Sequence, residues 1–371
     1  MRSIERLLTT HTGSLPRPPE FGDAAVADYD RALCGAVGTV VRLQADAGID
    51  LVSDGEMSKP SYATYVTERT SGFGGEGFKM GTSLSDAIDF PDWGRALVTA
   101  MGTVPATQAC IGEVTRTDIE SVHRDIANLK SAADAAGAVG TFLTAASPGV
   151  LTQFLENQYY PSHEAYLEAL AEAMRPEYLA IHEAGITLQL DCPDLTATGR
   201  HVEFAHTDLG AWKRIMGSHI EALNAATADI PPEAMRLHLC WGNYEGPHNH
   251  DVPLRDIIEI AFTARPSLIS FEAANPRHEH EWRVFEEVKV PDDKVLVPGV
   301  IDSTTNYVEH PELVAQRLVR FAKLVGREKV IGGTDCGFAT FASFVPVFPT
   351  VVYAKLKSLA QGAELASLEL W

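Results

Sequence analysis

The sequence predicts an α/β fold and, within that class, a (β/α)8 barrel of the TIM type. Three observations carry the prediction. Short apolar runs alternate with longer stretches of helical periodicity, the pattern of parallel βα units. There are eight such runs, closing at residues 10–14, 52–56, 143–147, 188–191, 237–240, 269–272, 297–302 and 330–336. Polar and charged residues gather at the C-terminal end of nearly every run, as a barrel with a single reactive mouth requires. A doubly wound sheet is the rival architecture, and it has no need of one shared mouth.

Taken in order, the first two runs end in Thr10-His11-Thr12-Gly13-Ser14 and Asp54-Gly55-Glu56. Between runs two and three, residues 59–122 form an excursion with a ninth apolar stretch at 106–114, and a hairpin is expected there. Its Gly72-Phe73-Gly74-Gly75-Glu76-Gly77-Phe78 lacks both a preceding strand and a following Lys-Ser/Thr, so it reads as a loop and not a phosphate cradle. Residues 164–184 carry apolar side chains at three-to-four spacing, with Pro176 expected to kink or break the helix. Helices are also expected at 207–226, 254–264 and 312–325. The 371 residues, 45% of them apolar, suffice for one barrel with an insertion, so a single domain spanning 1–371 is expected.

Fifty acidic against 30 basic residues give a formal charge of −20. Such a surface repels nucleic acid and anionic lipid, and both are excluded as partners. No apolar run approaches the roughly 18 residues of a membrane helix. The opening Met1-Arg2-Ser3-Ile4-Glu5-Arg6 has no leader-type apolar stretch behind it. The five cysteines, Cys34, Cys110, Cys192, Cys240 and Cys336, are odd in number and widely spaced, unlike a disulfide framework. A cytoplasmic location fits, and a reducing compartment keeps thiols available for metal. The sequence leaves the oligomeric state open.

The residues richest in chemistry are His238, Cys240, Glu272 and Cys336, each at the end of a strand-like run. Residues two apart on a strand share a face, so His238 and Cys240 can reach one ion. Two thiolates, an imidazole and a carboxylate are a zinc donor set. On spacing alone, two buried free cysteines with an unrelated His and Glu fit equally well. The neighbouring Trp241-Gly242-Asn243 and Asp335-Cys336-Gly337 read as turns at a mouth, which favours the metal.

With Thr10-His11-Thr12-Gly13-Ser14-Leu15-Pro16, Asp54-Gly55-Glu56, Leu190-Asp191 before Pro193, the metal quartet, and Gly299-Val300-Ile301-Asp302, the chain resembles the catalytic C-terminal barrel of cobalamin-independent methionine synthases over nearly its whole length. It resembles a short form without the separate N-terminal barrel of the long enzymes. The resemblance implies Zn2+ on His238, Cys240, Glu272 and Cys336, and a thiol bound there as thiolate that attacks an alkyl carbon. It implies that Glu56 and Asp191 grip the amino group of homocysteine, with the Gly13-Ser14 backbone against its carboxylate. From the residues alone, Glu56 and Asp191 are as readily helix caps and Asp302 a turn acid.

Two departures qualify the resemblance. In methionine synthases a histidine stands two residues after the aspartate matched by Asp302, and the pair protonates the departing pterin; here Thr304 occupies that place. A hydroxyl is a poor acid near neutral pH, so His248, His250 or His11 is expected to supply the proton, or the donor is not methylfolate. The segment after the fourth run reads Asp191-Cys192-Pro193-Asp194, with a thiol, expected only to pack, where the family has a glutamate. Pro247-His248-Asn249-His250-Asp251 and His278-Glu279-His280-Glu281 each offer a second metal site, and for the latter run a polar mouth or a solvated helix start is expected instead.

The expected activity is therefore zinc-dependent alkyl transfer to a small thiol, by default homocysteine S-methylation from a methyltetrahydrofolate or another methyl donor. One alternative is epoxide opening by a zinc thiolate, as in the related epoxyalkane:coenzyme M transferases, where Arg17 would offer a cation to the sulfonate. A porphyrinogen decarboxylase-like lyase on the same barrel and a non-catalytic zinc-binding protein complete the set.

Overall fold

The computed structural model describes residues 1–18, 21, 28–77, 84–101, 107–196, 208–340 and 345–371. Phe78, Ala106 and Thr207, which bound three of the expected segments, lie outside them. Eight parallel strands form the barrel: β1 (Leu8–Thr9), β2 (Leu51–Val52), β3 (Gly140–Ala146), β4 (Thr187–Asp191), β5 (Met235–His238), β6 (Leu268–Glu272), β7 (Val295–Ile301) and β8 (Ile331–Thr334). In space they run β1-β8-β7-β6-β5-β4-β3-β2. The eight expected runs all become strands or strand ends of this sheet.

A helix follows each strand, directly or after a loop. In chain order the helices include Tyr29–Asp46, Glu120–Ala136, His163–Glu183, Leu209–Ala226, Leu254–Ala261, the 3-10 helix Glu279–Glu286, Pro311–Val325 and Pro349–Leu370. Ser162 and Asp208 cap two of them by accepting from Ala165 N and Ala211 N, which supplies acceptors to otherwise unpaired first-turn amides. The helix His163–Glu183 runs through Pro176, so of the expected kink or break the break does not occur. A proline removes one hydrogen bond from a helix interior, and the buried face of Tyr166, Leu170, Met174, Tyr178 and Ile181 holds the helix on the barrel regardless.

No ladder joins β1 to β2 among the described residues; side chains close this seam. Asp50 Oδ2 accepts from Thr9 N at 2.9 Å and Thr9 Oγ1 at 3.1 Å, and both Asp50 oxygens accept from Arg6, at 2.8 and 2.6 Å. Inside the barrel, strand alternation stacks an apolar floor of Leu268, Val295, Val297 and Ile331, with Leu8 packed on it. Above the floor, Arg236 and Gln189 are buried, and the strand-end acids stand at the mouth.

The expected hairpin in the excursion pairs Phe73–Gly74 antiparallel with Ala109–Cys110. The excursion also reaches the mouth. Asp86 accepts from the Tyr244 hydroxyl and the His248 amide at 2.9 Å and from the Asn249 amide at 3.0 Å. The indole of Trp93 donates to Glu245 O at 3.3 Å. No helix among the described residues is long and apolar enough to cross a membrane.

Candidate active site

β5 ends at His238, and Cys240 lies two residues on, in the turn that follows; β8 ends at Thr334, and Cys336 lies likewise. One ligand atom each from His238, Cys240 and Cys336 falls within 4.8 Å of the others. The two sulfurs are 3.4 Å apart. Two thiolates on one tetrahedral ion at about 2.3 Å stand about 3.8 Å apart, so the pair needs only a small parting to hold an ion. His238 Nδ1 meets Ser270 Oγ at 3.3 Å, while its Nε2 is buried with no hydrogen-bond partner among the described residues. A buried imidazole nitrogen left without a partner is costly, and an ion between it and the sulfurs removes that cost. The donor set fits a borderline-soft divalent metal. None of the five cysteines is in a disulfide.

Glu272 stands outside that convergent trio. Its Oε1 accepts from Trp241 N and its Oε2 from Asn275 Nδ2, both at 2.8 Å. Burial, then the neighbouring Cys240 sulfur, raises its carboxyl above the usual range. Asp335 organises the same end of the barrel. Its Oδ1 accepts from the amides of Ala273 and Ala274, at 2.8 and 2.9 Å, and its Oδ2 from the amide of Asn275 at 2.8 Å, binding the β6 loop to the residue before Cys336.

The mouth opens on a cavity of about 400 Å³ lined by Glu272, Cys336, Asp302, Thr304, His248 and Arg277, among others. Asp302 is spent as an acceptor. Its Oδ1 takes the amide and hydroxyl of Thr304, at 3.0 and 2.9 Å, and its Oδ2 takes the amide of Thr305 at 3.0 Å and the Thr305 hydroxyl. Thr304 thus points its hydroxyl hydrogen at Asp302.

His248 sits at the cavity with φ of 54°, a left-handed conformation that needs outside support in a non-glycine residue. Its Nδ1 meets Asp251 Oδ2 at 2.7 Å and its Nε2 meets Tyr244 O at 3.0 Å. Both partners only accept, so the ring carries hydrogens on both nitrogens. Burial opposes that charge, but the hydrogen bond and charge of Asp251 outweigh it and raise the pKa. Asp251 Oδ2 also meets His278 Nε2 at 3.0 Å, and His278 Nδ1 meets Glu281 Oε2 at 2.8 Å. His278 is 2% exposed and His280 exposed, so solvation holds for His280 alone and His278 belongs to a buried polar cluster. His250 pairs with Asp89 at 2.8 Å and is not among the residues lining the cavity. His11 is buried against Gln44, and burial drops its pKa to about 3, so it is no proton donor.

Glu56 and Asp191 lie close enough for the charge of one to act on the other, and neither is among the residues lining that cavity. Both carboxyls are raised by burial, and Asp191 further by the charge of Glu56. Thr144 Oγ1 donates to Glu56 Oε1 at 2.9 Å, and Gln189 Nε2 to Asp191 Oδ1 at 2.7 Å. Gly13, at φ of 142°, packs so closely that a Cβ there would lie 2.9 Å from Glu56 Oε1. A Cβ on Gly337 would lie 2.0 Å from Ser14 Oγ, so the Gly13-Ser14 turn abuts the loop that carries Cys336. Arg17 spends an Nη on Lys59 O at 2.7 Å. Cys192 is buried, as its packing role anticipates.

Sequence reasoning missed two buried cations that act on Asp191. Lys59 Nζ donates to Thr144 Oγ1 at 2.7 Å, next to Glu56, and its charge lowers the carboxyls of Glu56 and Asp191 against their burial. Arg236 lies across the Phe142 ring, 4.0 Å from its centroid, and donates to Thr10 Oγ1 and His11 O at 2.9 and 3.0 Å. Arg236 stands two residues before His238 on β5 and so shares its face, a spacing signal that points it inward.

A family model described as the cobalamin-independent synthase catalytic domain matches residues 94–349. A methionine synthase of Thermococcus kodakarensis is 24% identical, over 98% of this chain and 94% of that one. A 2-hydroxypropyl-CoM lyase of Xanthobacter autotrophicus is also 24% identical, over 98% and 95%. Among solved structures, a B12-independent methionine synthase from Shewanella sp. W3-18-1 superposes with a TM-score of 0.76 at 20% identity, covering 98% of this chain and 99% of that one.

Proposed function

The chain belongs to the cobalamin-independent synthase catalytic-domain family and is a methyl-transferring enzyme, and from that premise we propose that it methylates the sulfur of homocysteine at a zinc site. The observation that carries the reading is the convergence of His238, Cys240 and Cys336, with a buried Nε2 that has no partner among the described residues. Zinc bound there, with Glu272 beside it, would lower the pKa of an incoming thiol and keep its sulfur nucleophilic near neutral pH.

The remaining roles fall to side chains. Two buried carboxyls, Glu56 and Asp191, lie where an ammonium group would restore both to the charged form, which selects an amino acid thiol over a sulfonate. The Gly13-Ser14 turn approaches closely enough for backbone contact with the same ligand. Arg17, committed to Lys59 O, supports the carboxylate end at most. As the thiolate attacks the methyl carbon, the bond from that carbon to its donor breaks, and the donor atom takes up a proton. His248, protonated and lining the cavity, supplies it by giving up its Nε2–H bond to Tyr244 O; Asp302, already accepting from two threonines, holds the loop. His250, paired with Asp89 and not among the residues lining the cavity, is disfavoured for this role. The excursion belongs to the same domain, since Asp86 fixes the backbone of His248. The five thiols, none of them in a disulfide, suit a reducing cytoplasm.

Epoxide opening by a zinc thiolate is the second reading, favoured by Thr304 in the place of the pterin-protonating histidine and by the similarity to the Xanthobacter lyase. A decarboxylase for polycarboxylates is disfavoured by a cavity lined with Glu272, Asp302 and Asp335.

The test offers zinc-loaded protein homocysteine and coenzyme M as thiols, against methyltetrahydrofolate, methylcobalamin and a short epoxide. Homocysteine should outcompete coenzyme M, and preference for the sulfonate thiol would reverse the order of the readings. In single turnovers with the active donor, His248→Gln should slow transfer by about 10²-fold or more, and an unchanged rate would remove His248 as the acid.

A further inference from the structure

We propose that the chain carries a second site for a borderline divalent cation of the zinc, nickel or copper kind, on the outer helices behind β3 and β4, with the Nε2 atoms of His163 and His219 as its imidazole ligands. The two atoms are 3.0 Å apart. Imidazole nitrogens each about 2.0–2.1 Å from one ion stand roughly 3.0–3.4 Å apart, so the pair already has a chelating spacing.

The inner histidine is built for the role. His219 is buried on the helix Leu209–Ala226, and its Nδ1 meets Asp194 Oδ2 at 2.9 Å. The carboxylate fixes the hydrogen on Nδ1 and leaves a lone pair on Nε2, the arrangement that outer carboxylates impose on metal-bound histidines. Asp194 is itself fixed, because its Oδ1 accepts from Ser147 Oγ at 2.8 Å. The backbone makes room for the pair at Gly149, where a Cβ would lie 2.1 Å from Asp194 Oδ2 and 2.5 Å from His219 Nδ1.

A separate observation points to a missing ligand. Gln153 stands one helical turn beyond Gly149 on the helix Pro148–Phe154, hence on the face that meets Asp194 and His219. Its amide nitrogen and oxygen are both buried, and neither has a hydrogen-bond partner among the described residues. An orphaned amide is costly to bury, and its oxygen can complete the shell of an ion held by the two histidines. His163, at the exposed start of its helix, gives the ion a way in. This site shares no residue with the His238, Cys240 and Cys336 trio, so it stands whatever the catalytic reading.

Titration of the purified protein with Zn2+ alone, followed by calorimetry and metal analysis, tests the site. Wild type should bind one equivalent more than His163→Gln, or bind the additional ion at least about tenfold more tightly. Transfer activity should be equal in the two proteins. With Cu2+ in place of Zn2+, electron paramagnetic resonance should show imidazole nitrogen couplings that disappear in the variant. Equal stoichiometry and affinity in the two proteins, with identical copper spectra, would overturn the site and leave the two histidines as a hydrogen-bonded pair.

Discussion

Single residues at the mouth show how one charge can be held in place by several neighbours. His278 is enclosed by Asp251, Glu281 and the Trp241 ring, whose centroid is 4.4 Å away. Burial works against its charge, but the hydrogen bonds to the two carboxylates prevail and raise its pKa from 6.5 to about 10. The sign of the linkage follows. A pKa raised on folding stabilises fully below the unfolded value of 6.5, and the contribution is lost as pH climbs from there through 10. Urea unfolding should therefore show a stability loss on the order of a few kcal/mol across this window, and His278→Gln should flatten the slope. An unaltered slope would locate the decline elsewhere. The convergence of His238, Cys240 and Cys336 was legible in the sequence because a candidate donor set is written in residue types. The burial of His278 was not legible because its partners, Asp251 and Glu281, become visible as partners only when the loops after β5 and β6 are packed together. Lys59 was passed over for a similar reason, since nothing local says that a lysine in a loop will turn inward to Thr144.

At the scale of elements, the strand ends set the ligand geometry. β7 and β8 pair Gly333 with Gly299, then Thr334 with Ile301, a slip of one residue at the mouth. The slip seats Asp335 directly over Gly299, where a Cβ would lie 2.5 Å from the Asp335 amide nitrogen and Cα. Backbone atoms cannot yield as a flexible side-chain tip would, so Gly299→Ala must push the β8 end outward and Cys336 with it. The expected result is a loss of roughly 1–3 kcal/mol in unfolding stability, together with weaker zinc binding in competition with a chromophoric chelator. Wild-type zinc affinity in a destabilised variant would show that Cys336 is positioned independently of this slip. The eight strands were legible because apolar runs at βα spacing have few other uses. The slip was not, since the glycines that permit it look like ordinary strand-end punctuation. Pro176 does not break its helix because proline's local preference is outweighed by the apolar face that the whole helix buries.

Across the whole molecule, the open question for any barrel is how its first and last edges meet. Here the chain closes with β8 against β1 by a ladder, but β1 and β2 are two residues long and meet through side chains. Exposed ladder groups at such a seam would be a weakness. Asp50 covers them, accepting from the buried Thr9 amide and hydroxyl while Arg6 grips both its oxygens. Half of the Arg6 side chain remains exposed, so water and salt screen its share of the attraction. The buried Thr9 amide has no such relief, and its loss of an acceptor dominates the cost. Asp50→Ala should lower unfolding stability by about 3 kcal/mol with no change in denaturant slope, and Asp50→Asn, which keeps one acceptor oxygen, should lose less. Hydrogen exchange should quicken at Thr9 and Leu51 before it does at β5 and β6, because opening would begin at the seam. If exchange instead rose evenly around the barrel, the ring of strands would be opening as one unit, and Asp50 would be an ordinary contributor to global stability and not the clasp between its first two strands.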